Sequence, residues 1–364
     1  MKQFTVAAAA FSLAAFAGAA HADLLVAIAG PMTGQYASAG DQIRKGAEMA
    51  VADLNAKGGV LGQKLVLEVG DDACDPKQAV SVANTMVNKK IVFMHGHWCS
   101  SSTIPASDVY AEAGIPMATV STNPQVTERK LKNIFRIMGR DDQQGLVAGN
   151  YLADTFKGKK IAVVDDKSAY GKGLADEIAK AMTAKGAKPA LRESITAGEK
   201  DYSALVTKLK AAGAEVLAYG GYHTEVALIL RQAQQAGLKL TVMGGDTMTN
   251  SELVTAAGAA ADNVLFTFAP DPRKNASAEA VVKKFRDAKV EPEGYVMYAY
   301  AAMQLFAQAA EKAKSAKQAD VQKALAAGNF DTVIGKLAFD AKGDNKAPGF
   351  VVYRWQGGKY DYAK

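Results

Sequence analysis

Two clusters of hydroxyl side chains have the chemistry to bind an anion. One occupies residues 99–103, with the sequence CSSST, and the other occupies residues 121–124, with the sequence STNP. Each follows an apolar run that predicts a β-strand, and ligands of open α/β sheets bind at the carboxyl ends of strands, beside helix N-termini. Capping and turn formation are the alternative roles, which we favour for Ser101 and Ser102. Together the two clusters suit a carboxylate.

Motifs of the common enzyme classes do not occur in the sequence. There is no phosphate-binding loop, no G-x-G-x-x-G, no G-x-S-x-G and no H-E-x-x-H. A hydrolase that uses Ser100 with His97 is the enzymatic alternative, but no third residue that would orient His97 is evident. We therefore predict a binding protein that is not an enzyme and that needs no cofactor.

The two cysteines, Cys74 and Cys99, predict a disulfide, because cysteines in an exported protein usually pair. Such a disulfide would stabilise the fold by roughly 3 kcal/mol. Two buried free thiols are the alternative. A metal site of His95, His97 and Cys99 ranks lower, because the glycine and serines around them indicate the end of a strand.

Residues 1–22 have the features of a secretory signal peptide. Lys2 precedes an alanine-rich apolar run, and Ala20-His21-Ala22 has the A-x-A pattern of a processing site. We expect cleavage after Ala22 and export of the mature chain. A membrane anchor is the alternative, but the run is short for a membrane span and no later segment approaches about 18 uninterrupted apolar residues.

Length and composition favour two folded domains. The chain has 364 residues, of which 49% are hydrophobic and 22% charged, and this excludes a disordered protein. A single core seldom grows to this length, so two domains are expected. The formal net charge of +6 is spread over single residues and pairs rather than gathered in an arm, so we expect no nucleic-acid partner.

Short apolar runs alternate with longer segments of helical period, which predicts parallel β-sheets covered by helices. The strands are predicted at 24–29, 65–69, 91–95, 116–120, 160–164, 216–219, 240–243 and 264–268. The helices are predicted at 41–56, 77–88, 102–113, 143–156, 171–185, 202–212, 224–236 and 276–288, with Asp41 and Asp75 as caps of the first two.

The regular alternation of predicted strands and helices ends after Pro270. Two further helices are predicted at 298–314 and 320–327, and β-like segments at 336–339 and 349–355. Before that point, two βα blocks of similar size, one on each side of about Arg140, indicate two doubly wound parallel-sheet lobes.

Four segments carry a resemblance to a known family. The residues at 71–80 (DDACDPKQAV), 99–108 (CSSSTIPASD), 195–201 (ITAGEKD) and 220–223 (GGYH) resemble, in the same order, the periplasmic leucine/isoleucine/valine-binding proteins of bacterial ABC importers. The resemblance covers essentially the whole chain after the leader. It implies the type I periplasmic binding protein fold, in which two α/β lobes joined by three crossing segments close on an amino acid.

The same resemblance implies boundaries for the lobes. The crossings would fall near 139–142, 269–270 and 348–349. The N-terminal lobe would comprise 23–140 with 271–348, and the C-terminal lobe 141–270 with 349–364. It also implies that Cys74 and Cys99 are bonded, and that a monomer delivers the amino acid to an inner-membrane ABC permease.

The resemblance also assigns roles to site residues, each with a structural alternative. The ligand carboxylate would lie on Ser100, Ser121 and Thr122, and the ammonium on Asp246, which could instead only cap a helix. Tyr170 would close on the carboxylate from the second lobe, Tyr222 would contact the ammonium, and Tyr295 would form an aromatic wall, with surface or core packing as the alternative for these three residues. We add Trp98 to the expected site as apolar surface for the ligand side chain.

Two departures from the family bear on specificity. Ala39 precedes Gly40-Asp41 where the family often has an aromatic residue, and Tyr36 lies upstream. Trp98 stands where close relatives have a smaller aliphatic residue. Leucine, isoleucine and valine are the expected ligands; phenylalanine, a broader amino-acid range, or a sensor domain without transport are the alternatives.

Overall fold

Strands and helices alternate along most of the chain. The computed structural model describes residues 22–262, 264–347 and 349–363. Strands β1–β14 are Leu24–Gly30, Leu65–Asp71, Phe93–His95, Met117–Thr119, Ile134–Arg136, Ile161–Asp165, Leu191–Ser194, Val216–Gly220, Thr241–Gly244, Leu265–Phe268, Phe330–Thr332, Gly335–Leu337, Val351–Gln356 and Lys359–Tyr362. Helices α1–α12 are Ala37–Ala56, Pro76–Asn88, Ser100–Glu112, Gln125–Glu128, Asp141–Thr155, Ala169–Ala184, Ser203–Ala211, His223–Gln235, Glu252–Ala257, Glu279–Asp287, Val296–Ala313 and Gln318–Ala327.

The first sheet has five parallel strands in the order β2-β1-β3-β4-β5. Its interior strand β1, paired with β2 and β3, is buried on both faces. Ala27 and Ala29 pack in one hydrophobic cluster with α2 and α3, whereas Val26 and Ile28 pack in another with α1 and α11. This alternation follows from the two-residue period of a strand and explains why β1 is apolar along its whole length.

The second sheet has seven strands in the order β14-β13-β10-β9-β8-β6-β7. The strands from β10 to β7 are parallel, and β13 and β14 join antiparallel at one edge. Helices α5 and α6 pack closely beside this sheet. A Cβ atom added at Gly149 would lie 2.6 Å from the Cβ atom of Ala181, so only glycine permits this approach.

The chain passes between the two sheets three times. The first passage joins β5 to α5, the second leads from β10 to α10 and α11, and the third joins β12 to β13. The predicted crossings near 139–142, 269–270 and 348–349 fall in these passages, although Pro348 itself lies outside the described residues. Residues 1–21, which carry nearly all of the predicted leader, also lie outside them.

The structure corrects the predicted start of the first helix. α1 begins at Ala37 with Tyr36 at the N-cap, so Asp41 lies inside the helix and does not cap it. The cap predicted for α2 is confirmed, since Asp75 accepts hydrogen bonds from the N–H groups of Lys77 and Gln78. Within the described ranges, no helix is long and apolar enough to cross a membrane.

Candidate ligand-binding cleft

The predicted site residues lie where strands of the two sheets end. In the first sheet, β3 leads to the loop that carries Trp98 and then to Ser100 at the start of α3, and β4 leads to Ser121 and Thr122. In the second sheet, β6 precedes Tyr170, β8 precedes Tyr222, and β9 precedes Asp246. Tyr295 lies at the N-cap of α11. Both sheets therefore present loops from their carboxyl ends, as the α/β architecture predicts.

The two hydroxyl clusters are packed against each other. Ser100 is the first residue of α3, and its Oγ accepts a hydrogen bond of 3.4 Å from the N–H of Asn123. The Ser121 hydroxyl lies within hydrogen-bond distance of the carbonyl oxygens of His97, at 3.0 Å, and Trp98, at 2.9 Å. Ser121 therefore joins the two loops. A hydroxyl group has only one hydrogen to donate, and here these carbonyl oxygens receive it. The predicted role of Ser121 towards a ligand carboxylate stays a prediction.

One covalent link and one polar link support these loops. The predicted disulfide between Cys74 and Cys99 is confirmed, with Cα atoms 5.5 Å apart. Beside it, the imidazole Nδ1 of His97 lies 2.5 Å from a carboxylate oxygen of Asp72, and both side chains are fully buried. His97 and Cys99 are therefore occupied by these partners, and the metal site weighed from the sequence has no support in their geometry.

Asp246 is a buried carboxylate that receives three neutral donors. The hydroxyl groups of Tyr170, at 2.9 Å, and Tyr295, at 2.5 Å, donate to it, as does the Gln144 amide at 3.0 Å. Only 3% of Asp246 is exposed. Within the part of the chain that the structure describes, no lysine or arginine forms an ion pair with it.

Burial raises the pKa of Asp246, while the hydrogen bonds from Tyr295, Gln144 and Tyr170 act in the opposite direction. Asp141 lies nearby at the start of α5 and is also buried. Its pKa is raised well above the ordinary value, first by burial and then by the charge of Asp246. A bound cation would therefore stabilise the buried region around these two carboxyl groups.

Gly245 permits one of these contacts. A Cβ atom at this position would lie 2.2 Å from the Tyr170 hydroxyl oxygen, so the tyrosine can reach Asp246 only past a residue without a side chain. This explains the glycine that directly precedes Asp246 in the sequence.

Aromatic rings from both sheets meet between the hydroxyl clusters and Asp246. The Tyr222 ring centre lies 5.2 Å from that of Trp98 and 5.4 Å from that of Tyr170. Trp98 also contacts Tyr295, at 5.5 Å and nearly edge-on. These rings form an apolar wall at the join between the two lobes.

The lobes are in contact in this structure, which therefore represents a closed form. The Asn123 amide donates a 2.6 Å hydrogen bond to the carbonyl of Ala169, and the Ser101 hydroxyl accepts one of 3.3 Å from the N–H of Ala169. The bond between Tyr295 and Asp246 also joins elements that pack on different sheets.

The structure brings the predicted site residues together and adds others. Trp98, Tyr170, Tyr222, Asp246 and Tyr295 form one contiguous group, and Ser100, Ser121 and Thr122 are buried in the adjoining loops. Sequence reasoning missed Gln144, Asp141 and the pair of Tyr36 and Glu225, whose hydrogen bond measures 3.3 Å. The Asp141-Asp142 pair, within the first predicted crossing at 139–142, was the signal that could have indicated an acidic residue here.

Comparison with known proteins agrees with this geometry. The model of the periplasmic binding protein family matches residues 24–359, so the chain belongs to that family. It is 51% identical over 353 residues to Leu/Ile/Val-binding protein homolog 1 of Brucella melitensis biotype 1, a match that covers 96% of this chain and 95% of the relative.

Two further proteins are informative. The chain is 45% identical over 355 residues to the leucine-, isoleucine-, valine-, threonine-, and alanine-binding protein of Pseudomonas aeruginosa. The match covers 95% of this chain and 94% of the relative. Among solved structures, it matches the branched-chain amino acid transporter substrate binding protein LivJ from Streptococcus pneumoniae in complex with isoleucine, with a TM-score of 0.85, 27% identity and coverage of 93% and 98%. The resemblance inferred from the sequence, and the type I fold, are confirmed.

Proposed function

We propose that this protein binds a free L-amino acid between its two lobes and delivers it to an inner-membrane ABC permease. Its family and the names of its relatives describe binding proteins rather than enzymes. The family name also places it in the periplasm. Cleavage after Ala22, a monomeric state and lobe boundaries at 140/141, 270/271 and 348/349 belong to the same proposal.

The buried carboxylate of Asp246 carries the proposal. A carboxyl group that is nearly inaccessible and has only neutral partners is suited to the ammonium group of a ligand, because a cation would restore the charge compensation that burial removes. Tyr170 and Tyr222 would contact the ligand from the same lobe. Ser100, Ser121 and Thr122 would receive its carboxylate from the other lobe.

This division of contacts makes closure depend on the ligand. A ligand shifts an equilibrium between open and closed forms only by its difference in affinity for the two. An amino acid held by both lobes binds the closed form better, because its two charged ends are satisfied only there. Closure also excludes water and so strengthens each electrostatic contact.

Branched-chain aliphatic amino acids are the proposed ligands. Trp98, Tyr222 and Tyr295 supply apolar surface for an aliphatic side chain. Relatives that bind leucine, isoleucine and valine, and in one case also threonine and alanine, support this class.

Calorimetric titration with leucine, isoleucine and valine tests the proposal, with Asp246→Asn as the informative variant. Because hydrogen bonds to charged groups are worth about 1.5–3 kcal/mol, we expect Asp246→Asn to weaken binding roughly 10- to 100-fold. The matched control is Asp361→Asn, which removes an exposed carboxylate paired with Lys274. Unchanged affinity of Asp246→Asn, or no binding of any amino acid to the wild type, would contradict the proposal.

A further inference from the structure

Arg136 is a fully buried guanidinium close to the loop that would hold the ligand carboxylate. It ends β5, and none of its surface is exposed. Its Nη1 donates to the carbonyl oxygens of Ser121, at 2.6 Å, and Asn123, at 3.0 Å. Its Nη2 donates to the Thr127 hydroxyl at 2.7 Å.

These bonds fix the loop formed by residues 121–123. Its three consecutive carbonyl oxygens all accept hydrogen bonds, the middle one, that of Thr122, from the N–H of Asp141 at 2.8 Å. These hydrogen bonds direct the carbonyl oxygens of the loop towards their donors and compensate the partial negative charge of each oxygen. A carboxylate could then approach the hydroxyl groups of the loop with less repulsion.

The fourth partner of Arg136 lies in a passage between the lobes. Its Nε donates a 2.7 Å hydrogen bond to Asp344, which lies between β12 and β13 in the third passage. Asp344 also accepts a 3.0 Å hydrogen bond from Arg140, which lies in the first passage. The Thr127 hydroxyl donates to the same carboxylate.

Charge compensation keeps this network ionised. Burial alone would raise the pKa of Asp344, but the Arg136 charge and the hydrogen bonds from Arg136, Arg140 and Thr127 hold it below the ordinary value. A buried arginine without this carboxylate would be an uncompensated charge, so each member of the pair requires the other.

We propose that Arg136 is a positioning residue that couples the 121–123 loop, through Asp344, to two of the three passages about which the lobes close. Binding of a carboxylate at the loop would thereby be linked to the geometry of the passages. This inference rests on the proposed function. It adds a role in ligand binding for Arg136 and Asp344, which are not proposed to contact the ligand.

Lysine cannot replace Arg136 in this role. The four hydrogen bonds leave from three different nitrogens of one planar group, and an ammonium group cannot reach all four acceptors at once. Arg136→Lys therefore keeps the positive charge beside Asp344 but loses the link between loop and passage. Asp344→Asn keeps the link to the loop but removes the charge that fixes Arg136.

Calorimetric titration with leucine, on variants shown to be folded at the temperature of measurement, tests the inference. We expect the dissociation constant to rise about tenfold or more in Arg136→Lys and about fivefold in Asp344→Asn. Both variants break the same network. The dissociation constant of the double variant should therefore be at most about twofold higher than that of the single variant with the lower affinity. If the two substitutions acted independently, their fold-changes in dissociation constant would multiply.

Two controls separate this role from a loss of stability. Arg286→Lys makes the same chemical change in an arginine that pairs with Glu291 on the surface. Val282→Ala removes a buried side chain of α10 and lowers stability without touching the loop. Both should bind leucine within about twofold of the wild type.

Thr127→Val is the mildest variant and keeps the inference testable if Arg136→Lys and Asp344→Asn do not fold. It removes only the hydroxyl group between Arg136 and Asp344, and we expect about threefold weaker binding. Affinity within about twofold of the wild type in every folded variant of the three network residues would overturn the inference. If the wild type itself binds no amino acid, the proposed function fails instead.

Discussion

Trp98 is a large side chain in the wall of the proposed pocket. Its ring contacts both Tyr222 and Tyr295 and so occupies space between the lobes. We expect Trp98→Leu to raise the ratio of leucine affinity to alanine affinity about tenfold, because a pocket distinguishes one to a few methylene groups by about 1–3 kcal/mol. Titration of the two amino acids into both proteins measures the ratio, and an unchanged ratio would place Trp98 away from the ligand side chain.

Asp166 makes a prediction about pH. Burial, opposed by hydrogen bonds from Ser168, raises its pKa to about 6. The folded protein therefore binds this proton more tightly than the unfolded chain does, and the charged form lowers stability above about pH 6. As the pH falls through this pKa towards 4, Asp166 takes up a proton and the free energy of unfolding of the wild type is no longer lowered by its charge. The side chain of Asp166→Asn is neutral at every pH.

The expected result is a stability difference that depends on pH. The free energy of unfolding of Asp166→Asn minus that of the wild type should shrink by about 1 kcal/mol between about pH 7.5 and about pH 5. Urea unfolding at the two pH values measures it. A difference that stays constant would show that Asp166 has an ordinary pKa in the folded state.

The positions of site residues in the fold were predictable where a short motif carried them, and contacts between distant segments were not. The GGYH segment and the Gly-Gly-Asp segment are local sequence signals, and they indicated Tyr222 and Asp246. The hydrogen bond between Tyr36 and Glu225 joins residues 189 positions apart, so no local pattern contains it. Arg136 was hidden for a similar reason, since its partner Asp344 is distant in sequence.

At the scale of elements, long periodic segments were predicted well and short edge strands were missed. β5 has three residues and β7 four, and an arginine interrupts the apolar run in each, unlike in the equally short β3 and β4. α1 begins four residues before its predicted start, because the residues from Ala37 to Gly40 join the helix without a capping side chain. Asp75 followed by Pro76 marked the start of α2 correctly because both the cap and the fixed backbone angle of proline act locally.

The disulfide gives a prediction about the loops that follow β2 and β3. It joins residues 25 apart in sequence, and its removal in Cys74→Ala/Cys99→Ala should lower the free energy of unfolding by about 3 kcal/mol. Because Cys99 directly precedes α3, leucine affinity should also fall several-fold. Urea unfolding and calorimetry check the two effects; dithiothreitol should reproduce them in the wild type and leave the double variant unchanged. Equal stability with and without the bond would contradict the prediction.

At the scale of the whole molecule, the two-lobed architecture followed from the alternation of elements and from the family resemblance. What the sequence could not contain was how far the lobes close. Contacts such as that of Asn123 with Ala169 form between segments that are brought together only when both lobes are complete. The same contacts place the hydroxyl clusters and Asp246 on opposite sides of one interface, which is the basis of the proposed mechanism.

A crystal structure of the protein grown with leucine tests that mechanism most directly. We expect one leucine between the lobes, with its ammonium nitrogen about 3 Å from the Asp246 carboxylate and its carboxylate oxygens about 3 Å from hydroxyl groups of Ser100, Ser121 or Thr122. Leucine bound in the reverse orientation, or bound on one lobe without contact to Asp246, would contradict the account.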